Sequence, residues 1–92
     1  MQHELRLYVA GDAMNSLQAV ANLRALCEVH LPNRYTIEIV DVFREPARAL
    51  ADAVFMTPTL IKLGPLPGRR IVGSLSQSQV VLQALRLAEF DP

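Results

Sequence analysis

The sequence lacks the residues on which thiol, disulfide or metal chemistry depends. It has one cysteine, Cys27, and two histidines, with no tryptophan. A single cysteine cannot form an internal disulfide, and neither His3 nor His30 has a second ligand at metal-binding spacing. Cys27 lies more than two turns inside a predicted helix, far from the helix amino terminus that would favour a reactive thiolate. We therefore expect a small buried Cys27, histidines at the surface or a helix end, and no cofactor or metal ion.

Net charge and long apolar runs are also lacking. Nine basic and nine acidic residues cancel, which predicts no binding to nucleic acid or to an anionic membrane surface. No apolar run reaches the roughly 18 residues of a membrane span, and the amino terminus lacks the pattern of a signal peptide. We expect a cytoplasmic protein with a single domain over residues 1–92 and an aliphatic core, and a homodimer is an open alternative to a monomer.

The patterned segments predict a β-α-β-α-β-β-α order. Alternating or β-branched runs typical of strands occupy 5–10, 35–42, 59–63 and 69–73. Helical patterns occupy 15–31, 46–54 and 76–89. A βαβ unit makes its strands parallel and a hairpin makes its strands antiparallel, so the order predicts a mixed four-stranded sheet with three helices. This is the thioredoxin-like arrangement.

Short polar side chains predict where two helices begin. Asn15 or Ser16 is the expected N-cap of the first helix. Ser76 and Gln79 have the spacing of a capping box for the last helix, with Leu75 before it as a hydrophobic staple. Tyr8 could be a contact or a core residue, and we interpret it as core.

The segment around Pro58 organises the predicted fold. Proline should begin the third strand, and in thioredoxin-like domains the peptide bond before it is cis and faces the start of the first helix. Thioredoxins place a Cys-x-x-Cys pair there, whereas residues 12–16 here contain no cysteine. Thiol-disulfide chemistry is therefore not expected, and an enzyme such as a glutathione-dependent one is a distant alternative.

Several separated motifs, in the same order, resemble the KaiB family of clock proteins over about residues 4–90. They are Leu5–Gly11, Asn15–Ser16, Ile39–Val42, Ala53–Leu60 and Pro65–Ser76. The resemblance implies a non-enzymatic binding protein that docks onto a KaiC-like hexameric ATPase, in timing or in a stress response. It makes a histidine kinase a further candidate partner. The alternative is a catalytically silent thioredoxin-like sensor or scaffold domain, recognising a kinase or peptide without any KaiC.

The resemblance also implies two exchanging folds, and it nominates Pro58, Gly73, Ala84 and Arg86 as determinants of the fold state. Clock members have glycine and aspartate where this chain has Ala84 and Arg86. Both replacements favour a helix, together by an order of 1–3 kcal/mol. We therefore predict that the protein rests mainly in the thioredoxin-like state.

The resemblance nominates contact residues on two elements. For the ATPase these are the second helix and strand residues Tyr35, Ile37, Glu38 and Asp41. Lys62, Arg69 and Arg70 match a basic hairpin patch that clock members use for KaiA, although a solvated charged edge would look the same. Gln18 and Glu38 replace basic residues of the family, which argues against KaiA as a partner.

Overall fold

A strand-helix-strand unit, a short helix, a hairpin and a last helix follow one another in the computed structural model, which describes residues 2–85. The elements are β1 (His3–Val9), α1 (Met14–His30), β2 (Tyr35–Asp41), α2 (Pro46–Ala51), β3 (Thr59–Gly64), β4 (Arg69–Val72) and α3 (Ser78–Leu85). The predicted order and fold class are confirmed, with element boundaries shifted by a few residues.

The four strands form one mixed sheet in the order β2-β1-β3-β4. β1 is parallel to β2 and antiparallel to β3, and β4 is antiparallel to β3. Because β1 and β2 are parallel, their carboxyl ends lie at the same end of the sheet, and the start of the antiparallel β3 lies there too. The antiparallel β4 ends there as well, so four connections meet at this end.

The larger core lies between one face of the sheet and helices α1 and α3. Leu5, Leu7 and Leu60 are each at most 2% exposed and pack with Leu23 of α1 and Leu85 of α3. Cys27 is fully buried in this core, as predicted, and burial raises the pKa of its thiol to about 11. Such a thiol is protonated at neutral pH, so it is no nucleophile.

The opposite face of the sheet is covered by the short helix α2. Tyr8 and Val40 are fully buried there and pack with Ala49 and Val54. The prediction that Tyr8 belongs to the core is confirmed. Pro46 occupies the first turn of α2, where its missing amide hydrogen leaves no bond unmade.

Both predicted helix caps are wrong. Ala13 is the N-cap residue of α1 and makes no side-chain capping bond. The hydroxyl of Ser16 instead accepts a hydrogen bond from the amide of Ala10 at 3.0 Å, inside the protein, so it fastens the end of β1 to the helix. Helix α3 begins at Ser78, two residues after the predicted cap. The preceding Leu75 is 6% exposed with φ of 63°, so burial of its side chain, rather than a cap, sets the approach to this helix.

The loop before β3 has the predicted geometry. The Thr57–Pro58 peptide is cis, as are Gly64–Pro65 and Leu66–Pro67 in the hairpin turn, which the sequence did not indicate. The carbonyl of Pro58 accepts a hydrogen bond from Gly73 at 2.9 Å, which joins this loop to the end of β4.

The remaining predicted residues lie near the ends of helices and strands or outside the described residues. Ala84 lies in α3, whereas Arg86 and the predicted continuation to residue 89 are outside the described residues. His30 ends α1, and His3 begins β1 half-buried, where desolvation lowers its pKa. Between residues 2 and 85, no helix has the length and apolar character required to cross a membrane.

Candidate functional site: an apolar pole beside the cis-proline loop

Three of the four connections at this end of the sheet surround a shallow cavity of about 190 Å³. Its lining comes from the turn after β1, the loop after β2 and the loop that leads into Pro58. The lining residues are Ala10, Val42, Phe43, Val54, Phe55, Met56 and Thr57. Six of these seven are apolar, and only Thr57 offers a polar side-chain atom.

Phe43, Phe55 and Met56 stand at the rim of this cavity, and we call these three residues the apolar pole. They are 75%, 81% and 65% exposed to solvent. The chain has only three phenylalanines, so two of them project into water at one place. Contiguous exposed apolar side chains of this size are typical of protein interaction sites.

The cavity lining contains no cysteine, histidine or carboxylate that could act as a nucleophile or a base. Across residues 2–85, no three histidine, cysteine, aspartate or glutamate side chains lie close enough together to hold a metal ion. What the pole can do is bury the apolar surface of a partner. The loop that carries it is held by the Thr59 hydroxyl, which donates a hydrogen bond to the carbonyl of Met56.

A polar network lies on the face of the sheet that α2 covers. The carboxylate of Glu38 accepts hydrogen bonds from the guanidinium groups of Arg6 and Arg48, each at 2.8 Å. The carboxylate of Asp52 accepts one from Arg6 at 2.9 Å and one from the Tyr8 hydroxyl at 2.6 Å. We call these five residues the α2 network. The hydrogen bond from Arg6 and then that from Arg48 lower the pKa of Glu38. The hydrogen bond from Tyr8, followed by that from Arg6, lowers the pKa of Asp52.

The four contact candidates on β2 do not form one surface. Tyr35 and Ile37 are half-buried and pack against the larger core, and the Tyr35 hydroxyl donates to Glu28. Glu38 points to the opposite face, into the α2 network, because alternate strand residues face opposite sides. The carboxylate of Asp41 accepts hydrogen bonds from the amides of Gly11 and Phe43.

The basic hairpin is also divided. Lys62 was expected on an exposed edge, but its residue is only 4% exposed and its ammonium group donates to the carbonyl of Leu85 at 2.9 Å. That expectation is wrong because Lys62 is two residues after the buried Leu60 and pairs with Leu5, so it faces the core. Arg70 donates to the carbonyls of Asp52 and Ala53. Arg69 is exposed and contacts only the neighbouring Gly68 carbonyl, at 3.5 Å, among the residues described.

Sequence reasoning missed the apolar pole. The pattern placed Phe55 and Met56 in a leader to the proline loop and did not single out Phe43. A signal was present, since Phe43 falls directly after a predicted strand and Phe55 directly after a predicted helix. Large apolar residues in predicted loops cannot reach a core through the usual periodicity, which marks them as surface contacts.

A thioredoxin-like sheet with a cis-proline loop, and with no cysteine at residues 12–16 where thioredoxins have a cysteine pair, defines the class of thioredoxin-like domains without that pair. The chain belongs to the KaiB family. The model of the KaiB domain matches residues 6–87. The circadian clock protein KaiB3 of Synechocystis sp. is 43% identical over 81 residues, covering 88% of this chain and 79% of the relative. The clock oscillator protein KaiB of Synechococcus elongatus is 43% identical over 83 residues, covering 90% and 81%.

Solved structures agree on the fold. The N-terminal domain of SasA from Synechococcus elongatus has a TM-score of 0.73 at 21% identity, covering all of this chain and 90% of that domain. A mutant thioredoxin from Halobacterium salinarum has a TM-score of 0.76 at 18% identity, covering 99% and 79%. At such low identity the likeness establishes a shared architecture and nothing about activity.

Proposed function

We propose that this protein is a non-enzymatic, cytoplasmic interaction module that docks through its apolar pole onto a KaiC-like hexameric ATPase and modulates clock or stress signalling. Membership of the KaiB family supports the partner. The observation that carries the proposed surface is the exposure of Phe43, Phe55 and Met56 around one cavity. The cavity, at about 190 Å³, is smaller than the pockets of roughly 300–1,000 Å³ that hold small molecules.

The size of the pole fits the centre of a protein interface. A buried phenylalanine removes about 150–250 Å² from water, so two phenylalanines and a methionine at these exposures offer on the order of 400 Å². That is roughly half of the 800 Å² that each partner contributes to a standard interface. Charged neighbours supply a polar rim, since Asp12, Arg44 and Glu45 are all exposed around the same loops. An apolar centre with a polar rim is the usual anatomy of an interface.

KaiA is a weaker candidate partner than the ATPase. The hairpin offers only Arg69 as a fully available cation among the three predicted, since Lys62 is buried and Arg70 is engaged with the end of α2. Glu38, where clock members have a lysine, is held between two arginines.

A kinase or an extended peptide is the second candidate partner. The observation in its favour is that the cavity extends to Thr57, directly before the cis-proline. An extended chain that enters the cavity would pass beside the Thr57 main chain. This partner would bind at the same pole as the ATPase. Binding experiments with each candidate protein therefore distinguish the two, whereas substitutions at the pole do not.

The first experiment is size-exclusion comigration with the KaiC-type ATPase of the same organism, sampled within minutes of mixing and again after hours. Phe43→Glu and Phe55→Glu are each expected to weaken binding at least tenfold, as for interface hot spots. Leu66→Glu is the matched control, because Leu66 is 82% exposed but lies in the hairpin turn at the other end of β3. Circular dichroism checks that each variant is folded.

The outcomes are distinct. Binding by the wild type that Leu66→Glu abolishes and the two phenylalanine variants retain would contradict the proposed surface. A complex that forms only after hours would keep the partner but contradict a resting thioredoxin-like state. No complex at either time would reject the ATPase, and the same variants would then be tested against histidine kinases of the organism.

A further inference from the structure

We propose that Asp41 is the positioning residue of the apolar pole, holding Phe43 in the orientation that a partner meets. The inference rests on the proposed docking at the pole, and it adds a residue that would act without contacting the partner. The contact role expected for Asp41 from the sequence is thereby replaced by an internal one.

One carboxylate oxygen of Asp41 bridges two loops. Oδ1 accepts a hydrogen bond from the amide of Phe43 at 2.9 Å and another from the amide of Gly11 at 3.2 Å. Gly11 belongs to the turn after β1 and Phe43 to the loop after β2, 32 residues later in the chain. The main-chain carbonyl of Asp41 also accepts from the amides of Arg44 and Glu45, at 3.0 and 2.9 Å. Asp41 therefore fixes the whole connection from β2 towards α2.

The bridge holds the main chain of Phe43 and so sets the direction in which its side chain leaves the loop. The ring is 75% exposed, so burial in the core does not hold it. Its inner edge rests on Gly11, where a Cβ atom would lie 3.6 Å from Cδ2 of Phe43. Gly11 has φ of 54°, which favours glycine and lets the turn approach the ring. If the amides of Gly11 and Phe43 were released, the turn and the ring would lose their fixed relation.

Preorganisation of an exposed aromatic side chain improves affinity because less conformational entropy is lost on binding. For one rotamer-rich side chain the effect is about 3- to 10-fold in affinity. Asp41→Ala should therefore bind the KaiC-type ATPase about 3- to 10-fold more weakly. Asp41→Asn keeps an oxygen acceptor and should stay within about twofold of the wild type, which would show that the acceptor and not the negative charge is needed.

Two controls separate positioning from general damage. Glu4→Ala removes an exposed carboxylate near the start of β1, at the end of the sheet opposite the pole, and should leave affinity unchanged. In a Phe43→Ala background, Asp41→Ala should have no further effect on affinity, because the side chain that it positions is gone. If Asp41→Ala does not fold, Asp41→Ser replaces it, since serine is too short to reach both amides.

A second readout does not need the partner. In proton-nitrogen NMR spectra, Asp41→Ala should move the Gly11 and Phe43 amide signals and speed their hydrogen exchange, while Asp41→Asn largely restores them. If the wild type binds no ATPase, the proposed function fails and this readout still decides whether Asp41 bridges the loops. Unmoved amide signals would overturn the proposal, as would additive effects of Asp41→Ala and Phe43→Ala, an Asn variant as weak as the Ala variant, or a Phe43→Ala variant that binds normally.

Discussion

Removal of the Asp52 carboxylate tests how strongly the α2 network holds α2 against the sheet. Asp52 accepts from the Tyr8 hydroxyl at 2.6 Å and from Arg6 at 2.9 Å. Asp52→Ala deletes both bonds at once. We expect the protein to fold and to lose stability, since the fully buried Tyr8 belongs to the smaller core beneath α2.

The expected loss of stability depends on the hydrogen bonds that Tyr8 and Arg6 can still make in the variant. A hydrogen bond to a charged group contributes about 1.5–3 kcal/mol. Neither donor is orphaned, however, because the Tyr8 hydroxyl can turn to the Arg48 carbonyl at 3.1 Å and Arg6 keeps its bond to Glu38. The Asp52 side chain is also 29% exposed, so water screens part of the interaction. These two reductions lower the expected loss for both bonds together to about 1–2 kcal/mol.

Acid should abolish the contribution of Asp52. The pKa of Asp52 is lowered in the folded protein, so its stabilisation is fully present above the unfolded-state pKa of about 4. It is lost as pH falls below 4 through the folded-state pKa. The difference between wild type and Asp52→Asn should therefore shrink in that acid window. Because Glu38 also has a lowered pKa, the Asn variant itself should still lose stability in acid.

Urea unfolding followed by circular dichroism measures these differences, with Asp12→Asn as the control at an exposed carboxylate. The slope of the free energy against urea should stay constant if only stability changes. Equal stability of wild type and Asp52→Ala at pH 7 would refute the reasoning. So would a difference between wild type and Asp52→Asn that persists undiminished in acid.

Three further predictions are each tested by a different measurement. Cys27 should resist alkylation in the native protein and react only after unfolding, because its thiol is buried with a pKa of about 11. Arg70→Ala should lower the unfolding free energy by about 1–2 kcal/mol in urea, whereas Arg69→Ala should leave it unchanged. Ala84→Gly should destabilise the helix at 78–85 by about 1 kcal/mol, and a second set of NMR signals should gain population if two folds exchange.

The fold was largely predictable because its signals are local and repeated. Strand alternation, helical spacing and the turn residues of the hairpin each act over a few neighbours, and their order along the chain matches the thioredoxin-like arrangement. The helix caps were not predictable in the same way. Ser16 has a side chain suited to capping a helix, but in the folded protein its hydroxyl accepts a hydrogen bond from the amide of Ala10 instead. Such a choice depends on a contact between elements.

The candidate site was harder to predict, because charged residues were interpreted as surface contacts and the apolar residues in loops were not considered. Lys62 was placed on a basic surface by its residue type, although its register with Leu5 puts it in the core. Glu38 and Asp41 were predicted as partner contacts from the resemblance, but a strand sequence does not show whether a carboxylate contacts a partner or a group within the protein. Phe43 and Phe55 contribute to no periodic face, so only the assembled loops show that they meet.

The hairpin and the apolar pole are linked through Arg70. Its guanidinium group reaches from β4 to the carbonyls of Asp52 and Ala53, at 2.6 and 2.9 Å, directly after the end of α2. A helix of six residues has little stability of its own, and Ala53 adopts φ of 54°, a conformation that a non-glycine residue needs support to hold. The Arg70 contacts supply that support just before Phe55. An arrangement of the chain in which β4 does not pair with β3 would lose these contacts, and with them the placement of Phe55. Partner binding at the pole should therefore require the thioredoxin-like hairpin even though no hairpin residue lines the cavity.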